Sequence, residues 1–117
     1  MNKLKVIKIN QDSIDFSDEV NLTSDHSCDC CESHELYFKD LTLEEFNGLE
    51  FDLTNDNFFK RIDGYGIELV PISGMSVRIA GHGYNNGYYS NQLDLLISQN
   101  GKQIKKFNIT ECQEIKG

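Results

Sequence analysis

The stretch that decides the fold is Leu93-Asp94-Leu95-Leu96-Ile97-Ser98-Gln99-Asn100-Gly101-Lys102-Gln103-Ile104-Lys105-Lys106-Phe107-Asn108-Ile109. Two apolar-rich runs, Leu93 to Ile97 and Gln103 to Ile109, flank Asn100-Gly101. Asn-Gly is the strongest short-range hairpin signal, because both residues tolerate the positive φ of a tight turn. The spacing predicts two antiparallel strands closed by Gln99-Asn100-Gly101-Lys102. The same grammar recurs upstream. Ile67 to Ile72 and Met75 to Ala80 flank Ser73-Gly74 and predict a second hairpin. Pro71 has no amide hydrogen, so its strand should end or face an edge there. Ile14 to Leu22 predicts a short hairpin around Ser17-Asp18, and Leu36-Tyr37-Phe38 a short strand. Leu4 to Ile9 alternates Lys3, Lys5 and Lys8 with apolar residues, the pattern of a half-buried or edge strand.

One segment carries helix punctuation. Thr42 is placed as an N-cap with Glu45 three residues on, a capping box, and Leu41 and Phe46 can form the hydrophobic staple around it. Gly48 suits a left-handed C-terminal position. The predicted helix, Leu43 to Asn47, is barely over one turn and would be held by packing. The sequence-level expectation is therefore a β-rich α+β fold: antiparallel hairpins, one short helix and a structural zinc site. Its 117 residues fit one domain, 1–117.

Net charge is -8, which excludes the ordinary free-standing nucleic-acid binder. The charge is unevenly placed, at -13 between Asp12 and Asp56 and +5 elsewhere, so one strongly acidic face is expected. No window approaches the roughly 18 apolar residues of a membrane span. The N-terminal residues lack the apolar core of a signal peptide, and the chain reads as cytoplasmic.

In that compartment the four cysteines ask for an explanation other than disulfides. Three of them, and two of the three histidines, fall in His26-Ser27-Cys28-Asp29-Cys30-Cys31-Glu32-Ser33-His34. Thiolate and imidazole are the preferred donors of zinc, which takes four of them in a closed structural site. Adjacent cysteines can share one ion only through a sharp backbone turn, so a loop is implied and a distant residue should complete the set. His82, between Gly81 and Gly83 where the backbone can bend, is the best distant candidate. Reduced surface thiols or a regulatory disulfide are the alternatives. Cys112 stands apart and is expected to be unliganded, and His34 is expected to be exposed. The second notable segment, Gly81-His82-Gly83-Tyr84-Asn85-Asn86-Gly87-Tyr88-Tyr89-Ser90-Asn91, has the composition of an irregular loop. Its tyrosines suit either packing on the sheet or a binding surface.

Together these segments resemble a family of small phage-borne proteins that carry His-x-x-Asp-Cys-Cys-Glu early in the chain and His-x-x-x-Asn-Gly-Tyr-Tyr after a hairpin. The resemblance runs over about residues 25 to 98 and takes in Leu43-Glu44-Glu45-Phe46-Asn47-Gly48. It implies His26, Cys30, Cys31 and His82 as zinc ligands, with Cys28 the alternate for His26. Asn85 stands where many relatives have a second His, which removes a ligand there. The resemblance also implies a phage protein in the cytoplasm of a bacterial host. Small acidic phage proteins include inhibitors of host defence such as anti-CRISPR proteins. An RNA-guided nuclease holds its nucleic acid in a positively charged channel, to which an acidic face would be steered. The expectation is a non-enzymatic, zinc-stabilised monomer that binds a type II effector and blocks nucleic-acid loading. Its contact residues would be Asp40, Glu44, Glu45, Glu50, Asp52 and Tyr84. The alternatives are a self-associating phage structural or assembly protein and a small zinc-dependent hydrolase. Against the hydrolase, the chain has no His-Glu-x-x-His, and His34-Glu35 lacks the Pro-Cys-x-x-Cys partner of a zinc deaminase.

Overall fold

In the computed structural model, which describes residues 2–25, 32–85 and 92–116, the chain folds as two sheets. The strands are β1 (Val6–Ile9), β2 (Ser13–Phe16), β3 (Val20–Asp25), β4 (Glu32–Leu36), β5 (Phe59–Ile62), β6 (Gly66–Leu69), β7 (Val77–Asn85), β8 (Asp94–Gln99), β9 (Lys102–Asn108) and β10 (Glu114–Lys116). The first sheet runs β1-β2-β3-β8-β9 and is antiparallel throughout. The second runs β10-β7-β6-β5, with β4 also on β7. Three single turns of 3-10 helix, Phe38–Asp40, Leu43–Phe46 and Asp56–Phe58, occupy the segment between β4 and β5.

The turns follow from local chemistry. Gln99 pairs with Lys102 across Asn100 (φ 54°) and Gly101 (φ 80°), the two positive-φ residues that such a turn demands. At the same end of the sheet Phe16 pairs with Val20, and Asp18 (φ 62°) and Glu19 (φ 59°) make the turn, the Glu19 carbonyl accepting from the Asn100 amide at 3.1 Å. Alternation then chooses the buried face. Ile14, Phe16, Val20, Leu22, Leu95 and Ile97 point inward from the first sheet, and Leu36, Ile67, Leu69, Val77 and Ile79 from the second. All belong to one hydrophobic cluster. Each such side chain contributes about 1.5–3 kcal/mol on burial. Phe51 locks the strip between β4 and β5 onto this core. It packs edge-on against Phe16 at 5.8 Å and forms a two-way backbone bridge with Leu4, both bonds 2.8 Å.

The β-rich fold with antiparallel sheets is as expected, and finer readings are corrected. The α part of the expected α+β class is almost absent, and no α-helix occurs among the described residues. Residues 43–46 make a 3-10 turn because Gly48 (φ 79°) closes the segment before four-residue hydrogen bonds can develop. Its bonds run from Glu45 N to Thr42 O and from Asn47 N to Glu44 O, both 3.2 Å. The Glu45 carboxylate does accept from the Thr42 amide at 3.3 Å, as the capping signal predicts. Ser73-Gly74 is not a tight hairpin. The Val70 amide donates to Phe58 O and the Ile72 amide to Glu50 O, each at 2.8 Å, so this stretch is tied sideways and the connection to β7 is wide. The strand expected at Leu36–Phe38 instead covers Glu32–Leu36 and turns at Phe38. Finally, hairpins are not the whole architecture, since β10 joins β7 in parallel. No helix among the described residues is long and apolar enough to cross a membrane.

Candidate metal centre and acidic strip

Strand β7 organises the second sheet. Val77 to Ala80 pair with β6, Gly81 to Asn85 with β4, and His82 to Tyr84 with β10. Residues 77, 79, 81 and 83 face the core, while Arg78, His82 and Tyr84 point the other way. Gly81 is required by proximity and not by a bend toward a metal. A Cβ there would run into the Cys112 carbonyl and lie 3.3 Å from Leu36 Cδ2.

His82 is half-buried on the outer face of this sheet. Its ring stacks on Tyr37, centroids 4.2 Å apart and tilted by 30°. Lys39 Nζ caps the same tyrosine at 4.8 Å from the ring centre. Glu35 of β4 and Glu114 of β10 are the register partners of His82, and partners directly opposite share a face. His34 occupies the next position on β4, opposite Gly83, and so faces the core. It is only 4% exposed, which overturns the expectation of an exposed residue. The signal was present in the sequence: Leu36, two residues on, is apolar, and a strand puts i and i+2 on one face. His34 Nδ1 lies 2.7 Å from Gln113 Oε1, and Gln113 Nε2 donates to the Thr110 carbonyl at 3.0 Å.

The cysteine-rich half of the predicted centre, His26, Cys28, Cys30 and Cys31, lies outside the described residues, as do Tyr88 and Tyr89. The residues that border those segments are described. Asp25, the last residue of β3, pairs with Asp94, the first of β8. Glu32, the first of β4, pairs with Asn85, the last of β7. The Leu36 amide donates to Ser24 Oγ at 3.1 Å, tying β4 back to β3. The two motif segments therefore start and finish at adjacent strand ends. Among the described residues no group of three or more His, Cys, Asp or Glu is arranged to hold a metal ion. Cys112 is fully buried, and burial, helped by Glu111, pushes its thiol up to about 11. It is a protonated core residue with little nucleophilic character at neutral pH.

The acidic face is narrower than the charge count suggests. Asp15 is enclosed between Asn10 and Asn21, and Asp56 is paired with Lys105 at 3.2 Å. Asp12, Asp18 and Glu19 are exposed around the first sheet, and along the chain from Asp40 to Asp52 a second set follows, with Asp40, Glu44 and Glu45 exposed and Glu50 and Asp52 half-buried. The Asp52 carboxylate is held below the usual range by hydrogen bonds from Thr54. Lysines stand beside the strip. Lys5 lines a groove with Ile7, Leu43 and Glu44, and Lys8 and Lys39 line the next with Leu41. Tyr84 is 53% exposed on β7, in register with Ser33 and Lys116. No family model, curated protein or solved structure matches this chain.

Proposed function

We propose that the chain is a non-enzymatic, zinc-stabilised binding protein of phage origin that inhibits a host defence nuclease. In this reading the acidic strip from Asp40 to Asp52 occupies the basic nucleic-acid channel of a type II RNA-guided effector. The observation that carries the zinc half is the pairing of Glu32, the residue that follows segment 26–31 in the chain, with Asn85, the last of β7. The donors present fit zinc by type: thiolates from Cys28, Cys30 and Cys31 and an imidazole from His26 or from the sheet, His82 in the expected set. Bound there, zinc would cross-link the ends of the two sheets. The exposure of Asp40, Glu44 and Glu45 supports the docking half, because solvent-facing charge steers association with an oppositely charged surface.

Self-assembly through open sheet edges is less well supported. Edge strand β9 carries exposed Lys102 and Lys106, and edge strand β1 is flanked by Lys5 and carries Lys8, the residue type that blunts edge-to-edge pairing.

Native mass spectrometry of protein purified without chelator tests the zinc half, with one zinc per chain expected. Cleavage by several type II effectors, titrated with the protein at two salt concentrations, tests the docking half. Inhibition that weakens with salt is the expected result. Full cleavage at all protein concentrations across the panel would remove the inhibitor reading.

A further inference from the structure

Strand β1 ends the first sheet, so among the described residues one of its edges has no neighbouring strand. Which backbone groups face that edge follows from the ladder on the other side. Lys5 O accepts from the Ser17 amide at 2.8 Å and the Asn10 amide donates to Ser13 O at 2.9 Å, both toward β2. Hydrogen-bonding direction alternates along an antiparallel strand, and the bulge between Val6 and Lys8 absorbs one residue. Val6 and Ile9 therefore point their N–H and C=O groups outward. Leu4 does the same, and there the edge is already in use. Leu4 and Phe51 exchange two hydrogen bonds of 2.8 Å in an antiparallel bridge. The next step of that ladder would set Leu49 against Val6. The Leu49 amide instead donates to Phe46 O at 3.0 Å, and Gly48 (φ 79°) bends the chain off the edge.

This divergence leaves a groove between β1 and residues 41–49. It has two stretches, of about 510 and 420 Å³, that meet at Leu43. Both volumes are in the range of sites that take a ligand. Ile7 and Leu43 stand 60% and 50% exposed along it, beside the half-buried Val6 and Ile9. Charge selects the occupant. Lys5, Lys8 and Lys39 line the groove against one acid, Glu44, in a chain whose net charge is -8. A second copy of β1 would set lysine against lysine, which is unfavourable for residues directly opposed. A strand bearing carboxylates reverses that sign.

We propose that this groove docks an extended acidic segment of a partner protein, which adds antiparallel to β1 as a further strand. Its apolar side chains lie opposite Val6 and Ile9, and its carboxylates opposite Lys5 and Lys8. This surface uses the opposite charge from the acidic strip and needs neither zinc nor a nuclease.

The probe is a capped peptide of alternating valine and glutamate, about eight residues long, the length of a strand. Fluorescein-labelled peptide is titrated into the full chain by anisotropy, and unlabelled peptide by proton–nitrogen NMR. Saturable binding is expected, with the largest shifts at the amides of Val6, Ile9 and Leu43. The same peptide with lysine in place of glutamate should bind about 10-fold more weakly. In a Lys5→Glu, Lys8→Glu double variant, its fold checked by circular dichroism, that preference should reverse. Methylation of the valine amides should abolish binding, and methylation of the glutamate amides should spare it. In an antiparallel pair the residues opposite Val6 and Ile9 supply the hydrogen bonds, and those are the valines. No binding up to about 1 mM overturns the proposal, as do shifts confined to other strands or equal affinity for the two peptides. Dimerisation of the chain alone, with shifts at β1, overturns it in favour of a second copy.

Discussion

The two sheets are built on different terms. In the first, β1 with β2, β2 with β3 and β8 with β9 are sequence neighbours joined by short turns, and only β3 with β8 is a long-range pairing. In the second, β7 takes partners from residues 32–36, 66–69 and 114–116, spread across the chain. Local pairing closes small loops, whereas distant pairing must overcome a larger loss of chain entropy. The contents differ accordingly. The ladder of the first sheet buries mainly aliphatic side chains, and the β4–β10 end of the second buries His34 and Gln113 together. Buried polar groups cost stability unless satisfied, so that end of the molecule gains most from an added cross-link.

The largest effect should come from removing the proposed zinc. A structural zinc contributes roughly 10–16 kcal/mol of apparent binding energy, as much as the whole stability of a small domain. Cys31→Ser is expected to lose both the metal and cooperative folding, measured by metal content and thermal melting. Under gradual chelation of the wild type, hydrogen exchange should open β4 and β10 before β2, β3 and β8. A metal-free Cys31→Ser protein that melts with the wild type would break the link between zinc and the second sheet.

Next in size is a pair of glycine substitutions, one in each sheet. Gly81→Ala forces a methyl group against the Cys112 carbonyl and should cost about 3 kcal/mol, since backbone must move to admit it. Gly101→Ala meets nothing within 4 Å, and its cost is the positive φ of 80° alone, about 1 kcal/mol. Urea midpoints of the two variants read the difference. Equal costs would mean that β7 and the Cys112 segment are not closely apposed.

The same contrast explains what the sequence disclosed. Asn100-Gly101 and the alternation of Ile14, Phe16, Val20 and Leu22 are local signals, and the first sheet follows from them. Thr42, Glu45 and Gly48 correctly marked a turn, but four residues between cap and stop are too few for an α-helix. Parallel β10 and strand β5 have no local signature, because each is defined by a partner elsewhere in the chain. At the candidate centre, the cysteine cluster lies outside the described residues. His82 was singled out for its flanking glycines, which turn out to serve close packing at Gly81. His34, before the charged Glu35, reads as exposed, although its position two before Leu36 already places it inward. Gln113 could not be found without the fold, since its role depends on a residue 79 positions away.

The two sheets should also respond to opposite extremes of pH. Cys112, beneath β7, has its thiol raised from an ordinary 9.0 to about 11 by burial and by Glu111. Between those values the unfolded chain gives up a proton that the folded chain keeps, so stability falls as pH rises from about 9 to 11. The loss should be about 2 kcal/mol, and Cys112→Ala should abolish this alkaline slope, at the cost of a smaller side chain in the core. A wild-type protein equally stable at pH 8 and pH 10.5 would mean that solvent reaches this thiol.

The smallest effect belongs to Asp15 in the first sheet, and it has the other sign. Asn10 Nδ2 donates to one carboxylate oxygen at 3.0 Å and Asn21 Nδ2 to the other at 2.7 Å. These bonds, that from Asn10 first, favour the ionised form and hold the carboxyl below its usual 3.8, with Lys8 adding a weaker pull. Above the ordinary carboxylate range the stabilisation is complete. As pH falls through the lowered folded value, Asp15 takes up a proton, one donor loses its acceptor and the contribution disappears. Because the group is only partly buried, solvent screens it, and the loss should be at most about 1 kcal/mol. Asp15→Asn should flatten the acid limb of the stability curve below pH 4 while leaving the alkaline limb of Cys112 unchanged. The sites lie in different sheets and share no partner, so the double variant should show the sum of the two changes. A departure from that sum would mean that the two sheets are energetically coupled through their shared core.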